Sequence, residues 1–336
     1  MPPHITRRQF LVGAGVAGLG LLGGCQPPWS RPSQAARIAT IGYLIPGDPP
    51  GPQARIDGLR RGLAEHGYIE GQNLAIDFRF AEGHLERLPA LAAELVDRRV
   101  DVLFASAAVA AKAAKAATTT TPVVMAADGD PVGLGLVDSF AHPGGNLTGV
   151  SNMATELSAK RLQLLTEAAP YARRIAVLWN SSRADMAARL QEIRTAAQVL
   201  DLTLESLGVE QPEDFEPALH TAQAKRPDGL MVVIDPLTEQ HQRRILDFAA
   251  ESGLPAIYEE RGWVAAGGLM AYGPNIGDQY RRAARYVVRI LQGATPAELP
   301  IDQAMTFDFV VNLKTARELG ITFPQEILLQ VTEVIE

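Results

Sequence analysis

Five carboxylates in this chain stand directly behind short β-rich runs. Asp128 and Asp130 lie in Ala127-Asp128-Gly129-Asp130-Pro131, Asp235 precedes Pro236, and Glu259-Glu260 follow Tyr258. A carboxylate placed there either meets a ligand ammonium through a charge-assisted bond or caps the helix that follows, as Asp-Pro turns commonly do. Of Glu259 and Glu260, one faces a cleft and the other solvent, and sequence does not choose between them. Ser106-Ala107-Ala108, Ser151-Asn152 and Asn180 add hydroxyls, amides and backbone N–H groups at comparable positions. Tyr43, Trp179, Tyr258 and Tyr272 bring rings that either stack on a flat ligand or pack a strand end; Trp263 reads as packing. The chemistry such a set supports is recognition of a small polar or zwitterionic molecule. No nucleophile is paired with a base, and no Gly-x-Ser-x-Gly elbow occurs. The six histidines, His4, His66, His84, His142, His220 and His241, are scattered without metal-ligand spacing. Neither a cofactor nor a metal is expected.

The first residues carry a different chemistry. Thr6-Arg7-Arg8-Gln9-Phe10-Leu11 fits the twin-arginine export pattern, and the apolar run Phe10–Leu22 is shorter than the roughly 20 residues a spanning helix needs. Leu22-Gly23-Gly24-Cys25 resembles a lipoprotein cleavage site. Cys25, the only cysteine, reads as the lipid acceptor and excludes an intramolecular disulfide. Gly13-Ala14-Gly15-Val16-Ala17-Gly18 matches the dinucleotide-binding G-x-G-x-x-G, but the first carboxylate in the chain is Asp48, thirty residues past Gly18. Residues 1–24 therefore read as a twin-arginine lipoprotein signal peptide, and the Pro/Ser-rich residues 25–36 as a tether. Without residues 1–24 the chain holds 29 basic and 38 acidic side chains, a net charge of −9. That balance excludes nucleic acid as a partner and argues against a polybasic membrane patch. The pairs Arg60-Arg61, Arg98-Arg99, Arg243-Arg244 and Arg281-Arg282 read as solvated helix faces.

The elements that must position the cleft residues alternate from Arg37 onward. Strands are predicted at Ile38–Leu44, Leu74–Arg79, Val100–Ala105, Pro122–Ala126 and Asn146–Ser151, with helices at Gln53–Gly67, Leu85–Arg98 and Ala107–Thr118. After a helix at Thr155–Ala169, a second series has strands at Arg174–Trp179, Thr203–Gly208, Gly229–Ile234 and Ala256–Tyr258. Its helices are Arg183–Leu200, Glu213–Lys225 and Thr238–Ser252. Such alternation makes βαβ units and parallel sheets, and two series imply two doubly wound α/β lobes. Residues 37–151 plus about 272–300 form lobe 1, and 152–271 plus about 301–336 form lobe 2. Gly267–Tyr272 and the helix Ile276–Gln292 are expected to cross back to the first lobe, and Phe307–Asn312 with the helix Leu313–Leu319 to complete the second. Ligands of open parallel sheets sit beyond the carboxyl ends of the strands. That rule gathers Tyr43, Ser106, Ala107, Ala108, Asp128, Asp130, Ser151, Asn152, Asn180, Asp235, Glu259 and Tyr272 as the expected ligand-binding set.

The strand ends also carry a resemblance. Tyr68-Ile69-Glu70-Gly71-Gln72-Asn73, Arg87-Leu88-Pro89, Lys115-Ala116-Ala117-Thr118-Thr119-Thr120, Gly129-Asp130-Pro131-Val132-Gly133, Pro143-Gly144-Gly145-Asn146-Leu147-Thr148-Gly149, Ala176-Val177-Leu178-Trp179-Asn180, Gly267-Gly268-Leu269-Met270-Ala271-Tyr272-Gly273 and Asn312-Leu313-Lys314-Thr315-Ala316 occur in order. From about Arg37 to the C-terminus the chain resembles ABC-importer substrate-binding proteins of the tryptophan/tyrosine-type binder family. The resemblance implies a type I periplasmic-binding-protein fold, with two Rossmann-like lobes joined by three crossovers. It also implies an aromatic amino acid or related ligand and an ABC permease of the cytoplasmic membrane as partner. Relatives carry a Gly-Thr/Ser-Pro-like turn where this chain has Ala107-Ala108-Val109, and in amino-acid binders of this fold that hydroxyl and helix N-terminus grip the carboxylate. Here the backbone N–H groups remain, with Ser106 one turn earlier. The expected function is an exported, lipid-anchored solute-binding protein at the periplasmic or cell-surface face. The alternatives are a ligand sensor for a membrane partner, or an enzyme on the same lobes.

Overall fold

In a computed structural model, residues 37–49, 53–152 and 157–336 are described. The export signal, Cys25 and the tether lie outside them. The first series runs β1 (Ala39–Ile45), α1 (Gln53–Ala64), β2 (Leu74–Phe80), α2 (Leu88–Asp97), β3 (Val102–Ser106), α3 (Ala107–Ala117), β4 (Val123–Asp128) and β5 (Leu147–Ser151). The second runs α4 (Ser158–Ala168), β6 (Arg174–Asn180), α5 (Ala184–Val199), β7 (Thr203–Val209), α6 (Phe215–Lys225), β8 (Gly229–Val232), α7 (Pro236–Gln240), α8 (Gln242–Glu251), β9 (Ala256–Tyr258), α9 (Arg261–Ala265) and β10 (Met270–Pro274). The chain closes with α10 (Ile276–Leu291), β11 (Asp302–Gln303), β12 (Phe307–Asn312), α11 (Leu313–Glu318), α12 (Gln325–Leu328) and β13 (Glu333–Ile335).

Strands without an alternating polar face must be covered on both sides. β3 and β8 are buried at every residue, and each sheet accordingly has one apolar core on either face. The first sheet is six-stranded and wholly parallel, in the order β11-β5-β4-β3-β1-β2. The second has seven strands in the order β13-β12-β10-β9-β8-β6-β7, with β12 antiparallel to β10. In both sheets the second strand lies outside the first and the third returns to the other side. Strand order therefore reverses between β1 and β3 and between β6 and β8. Those switch points open a crevice at the strands' carboxyl ends.

The chain passes between the sheets after β5, after β10 and after β11. This moves two expected boundaries. Tyr272 lies inside β10, which pairs with β9 and β12 in the second sheet, so the return to the first lobe follows Pro274. Asp302 and Gln303 pair with β5, so the last exit follows Gln303. The expected helix Thr238–Ser252 is two helices that break at His241.

α10 reaches the first lobe and packs on α1 through two glycines one turn apart. A Cβ at Gly58 would lie 2.5 Å from the Gly277 carbonyl oxygen, and one at Gly62 would lie 2.3 Å from that of Arg281. Backbone contact of this kind leaves no room for a methyl. Gly62→Ala is expected to destabilise by about 1–3 kcal/mol through overpacking and to lower the melting temperature by several degrees. Gly145→Ala, which meets nothing within 4 Å, should leave it unchanged. Equal melting curves for the two variants would contradict this packing.

Candidate functional site

A cavity of about 420 Å³ lies between the lobes, at both switch points. The first lobe contributes Ile45, Pro46 and Gly47 from the end of β1, Ser106 and Ala107 from the β3–α3 junction, and Asn152 behind β5. Arg55 of α1 and Tyr280 of α10 complete that wall. The second lobe contributes Ile234, Asp235 and Pro236 behind β8, Glu239 and Gln240 of α7, Glu259 and Glu260 behind β9, and Arg189 of α5.

Asp235 takes both of the roles open to it. Its Oδ1 accepts the Thr238 N–H at 3.0 Å, while the Thr238 hydroxyl accepts the Asp235 N–H at 2.9 Å, a reciprocal cap on α7. Its Oδ2 accepts from Asn180 Nδ2 at 2.6 Å and lies 4.0 Å from Arg183. Burial raises the Asp235 carboxyl against these bonds. Asn180 thus holds Asp235 from behind instead of lining the cavity.

Glu259 is buried in a cationic setting. Its Oε1 pairs with Arg189, accepts the Ile234 N–H at 3.3 Å and lies 3.7 Å from Arg161 Nη1. Arg161 is fully buried and donates from Nε to the Tyr272 carbonyl at 2.7 Å. Desolvation lowers its guanidinium to about 10.

On the first-lobe side, the Ser106 and Tyr280 hydroxyls are 2.5 Å apart. Burial pushes the Tyr280 phenol up. Ala107 opens α3 with φ +66°, a left-handed conformation costing a non-glycine residue roughly 1–3 kcal/mol.

Arg55 joins the lobes. Its Nη1 donates to Glu239 at 2.8 Å and its Nη2 to both Glu260 oxygens, at 2.9 and 3.0 Å. All three side chains also border the cavity. Burial raises the Glu260 carboxyl to about 7 against the attraction of Arg55, with Glu239 and Glu259 adding repulsion.

The remaining expected residues lie elsewhere. Tyr43 sits two positions before the end of β1 and is fully buried, its ring edge-on to Phe104 at 4.9 Å. Asp130 is exposed, and its Oδ1 accepts the Gly133 N–H at 2.9 Å, a turn cap outside the cavity. Ser151 is buried in β5 and donates to the Gly129 carbonyl at 3.0 Å. Asp128 ends β4 beside Ser151. Ala108 is half-buried on α3, and Tyr272 packs between Phe307 and Phe309. Neither lines the cavity. Tyr258 stacks on Trp263 in a core, and the Trp179 indole donates to Ser206.

Arg55, Arg189, Glu239 and Tyr280 went unpredicted because they come from helices instead of strand ends. One signal existed. Arg189 falls on the same stripe as Met186, Leu190, Ile193 and Ala197, all buried, and a charge on an apolar stripe needs a partner.

Two doubly wound lobes, three crossovers and a cavity at the facing switch points define the type I periplasmic-binding-protein fold. The family described as ABC transporter substrate binding protein matches residues 41–335, and the chain belongs to it. A "Tyrosine-binding protein" of Clostridioides difficile (strain R20291) is 26% identical over 316 residues, covering 92% of this chain and 91% of that one. The structure of a Streptococcus pneumonia ABC domain in complex with L-Trp is 30% identical. It covers 88% of this chain and 99% of its own, with a TM-score of 0.82. A ligand-free, open substrate binding protein from Clostridium difficile is 26% identical over 89% of this chain and 99% of its own, and superposes at a TM-score of 0.67.

Parting the lobes withdraws Arg55 and returns Glu260 to water, where its carboxyl resumes the ordinary range. The closed form then holds the proton more tightly, so closure takes up a proton between about pH 5 and 7. Affinity coupled to closure is expected to fall as pH rises through that window, and Glu260→Gln should flatten the dependence. Calorimetry in buffers of different ionisation enthalpy reads the uptake directly. Proton release, or no exchange near pH 6, would contradict it.

Proposed function

We propose that this chain is the extracytoplasmic binding component of an ABC importer, carrying a small zwitterion, an aromatic amino acid or close analogue, to a permease. One observation carries the reading: both signs of charge face a single cavity between two apolar surfaces. Ile45 and Pro46 border it from the first lobe, and Ile234 and Pro236 from the second, so a flat ring can lie between them while its polar end meets Arg189, Asp235 and the acidic α7–β9 side. The relatives that bind tyrosine and tryptophan support the same ligand class. The protein acts by binding and closing, and its ligand leaves chemically unchanged. Cys25 holds the body at a membrane surface through residues 25–36. A tether of that length keeps the cleft at high local concentration near its partner.

In a thermal-shift screen, tryptophan and tyrosine should raise the melting temperature well above any effect of alanine. A shift no larger than alanine's would sink the aromatic reading. Cys25→Ala should move the protein from the detergent phase to the aqueous phase in a phase-partition assay of expressing cells. Retention in the detergent phase would remove the lipid anchor from the proposal.

A further inference from the structure

The resemblance directs a ligand carboxylate to the first lobe, at the start of α3. The residues there are poorly equipped for it. Ala107 has no hydroxyl, and the Ser106 hydroxyl is engaged with Tyr280. The second lobe offers what is missing. Arg189 lines the cavity with only 8% of its side chain exposed. It gives one Nη to Glu259, while its Nε is buried with no hydrogen-bond partner among the described residues. Leaving a buried guanidinium donor unpaired is costly, and a ligand acceptor that draws the guanidinium toward the cavity it already borders removes that cost. Glu259 is already divided between Arg189, Arg161 and the Ile234 N–H. The other guanidinium of the cavity wall, Arg55, has both Nη groups committed to Glu239 and Glu260. An anion placed at Arg55 would also face those two carboxylates.

We propose that Arg189 is the anion receptor of this cleft, so that the ligand's carboxylate docks on the second lobe. The fork of a guanidinium matches a carboxylate's two oxygens. Glu259 is a positioning residue: it orients Arg189 and keeps the buried charge compensated before the ligand arrives. The ligand therefore enters with its anionic end toward α5, reversed relative to the first-lobe grip.

The inference rests on the binding reading above, and the test separates the two. Matched pairs are titrated into the full-length protein: L-tryptophan with L-tryptophanamide, indole-3-acetate with indole-3-acetamide, benzoate with benzamide. Wild type should prefer the carboxylate member by roughly tenfold to a hundredfold, and Arg189→Gln should abolish that preference. Arg189→Gln combined with Glu259→Gln removes both members of that pair and serves if the single variant does not fold; the same loss is expected. If only the tryptophan pair fails to bind, the amino-acid reading falls and Arg189 stands. If wild type prefers no carboxylate, or the variants keep the preference, the Arg189 proposal is overturned. A crystal structure with a bound carboxylate decides independently: oxygens against the Arg189 guanidinium support it, and oxygens against the start of α3 sink it.

Discussion

Everything in the cleft depends on the reversal of strand order in each sheet. Parallel strands send their carboxyl ends to one edge, and the reversal parts the following loops there. β1 and β3 deliver Ile45, Ser106 and Ala107, while β8 and β9 deliver Asp235 and Glu259, with Asn180 of β6 behind Asp235. Facing the two edges toward each other turns two shallow crevices into one cavity. The three crossovers keep them facing, because each lobe is built from segments on both sides of the hinge.

The polar groups on that scaffold are arranged in layers. Asn180, Thr238 and Arg161 sit behind the residues that meet the cavity and fix their orientation. Buried charges are tolerated only with such support. Asp235 shows how economical the arrangement is, since one carboxylate ends a helix and borders the ligand space. Glu260 marks the opposite limit: its burial raises it to about 7 even beside Arg55.

The architecture was legible in the sequence because it rests on period and punctuation. Runs such as Val102–Ala105 and Gly229–Val232 carry no polar side chain, and the strands they form end within a few residues of expectation. Part of the cavity lining was legible for the same reason, as Ser106, Ala107, Asn152, Asp235 and Glu259 stand at or just behind strand ends. The rest depends on tertiary docking. Arg55 reads as one more arginine in a basic helix until the Gly58–Gly277 contact lays α1 against α10 and turns it over the cleft. Asp130 and Tyr43 stand outside the cavity lining for local reasons: a turn engages the first, and a position inside the sheet buries the second.

The bridge from Arg55 to Glu239 and Glu260 belongs wholly to the protein, so it favours closure to the same degree whether the cleft is loaded or empty. A ligand shifts the equilibrium only by its own difference in affinity for the two forms. Intrinsic closure therefore shortens the time the entrance stands open and slows capture in proportion, while it also delays escape. A transport partner that judged its client by shape alone would meet vacant copies dressed as loaded ones. In the proposed transport role, the strength of this ion bridge would set a trade between retention of a ligand and faithful reporting of its presence.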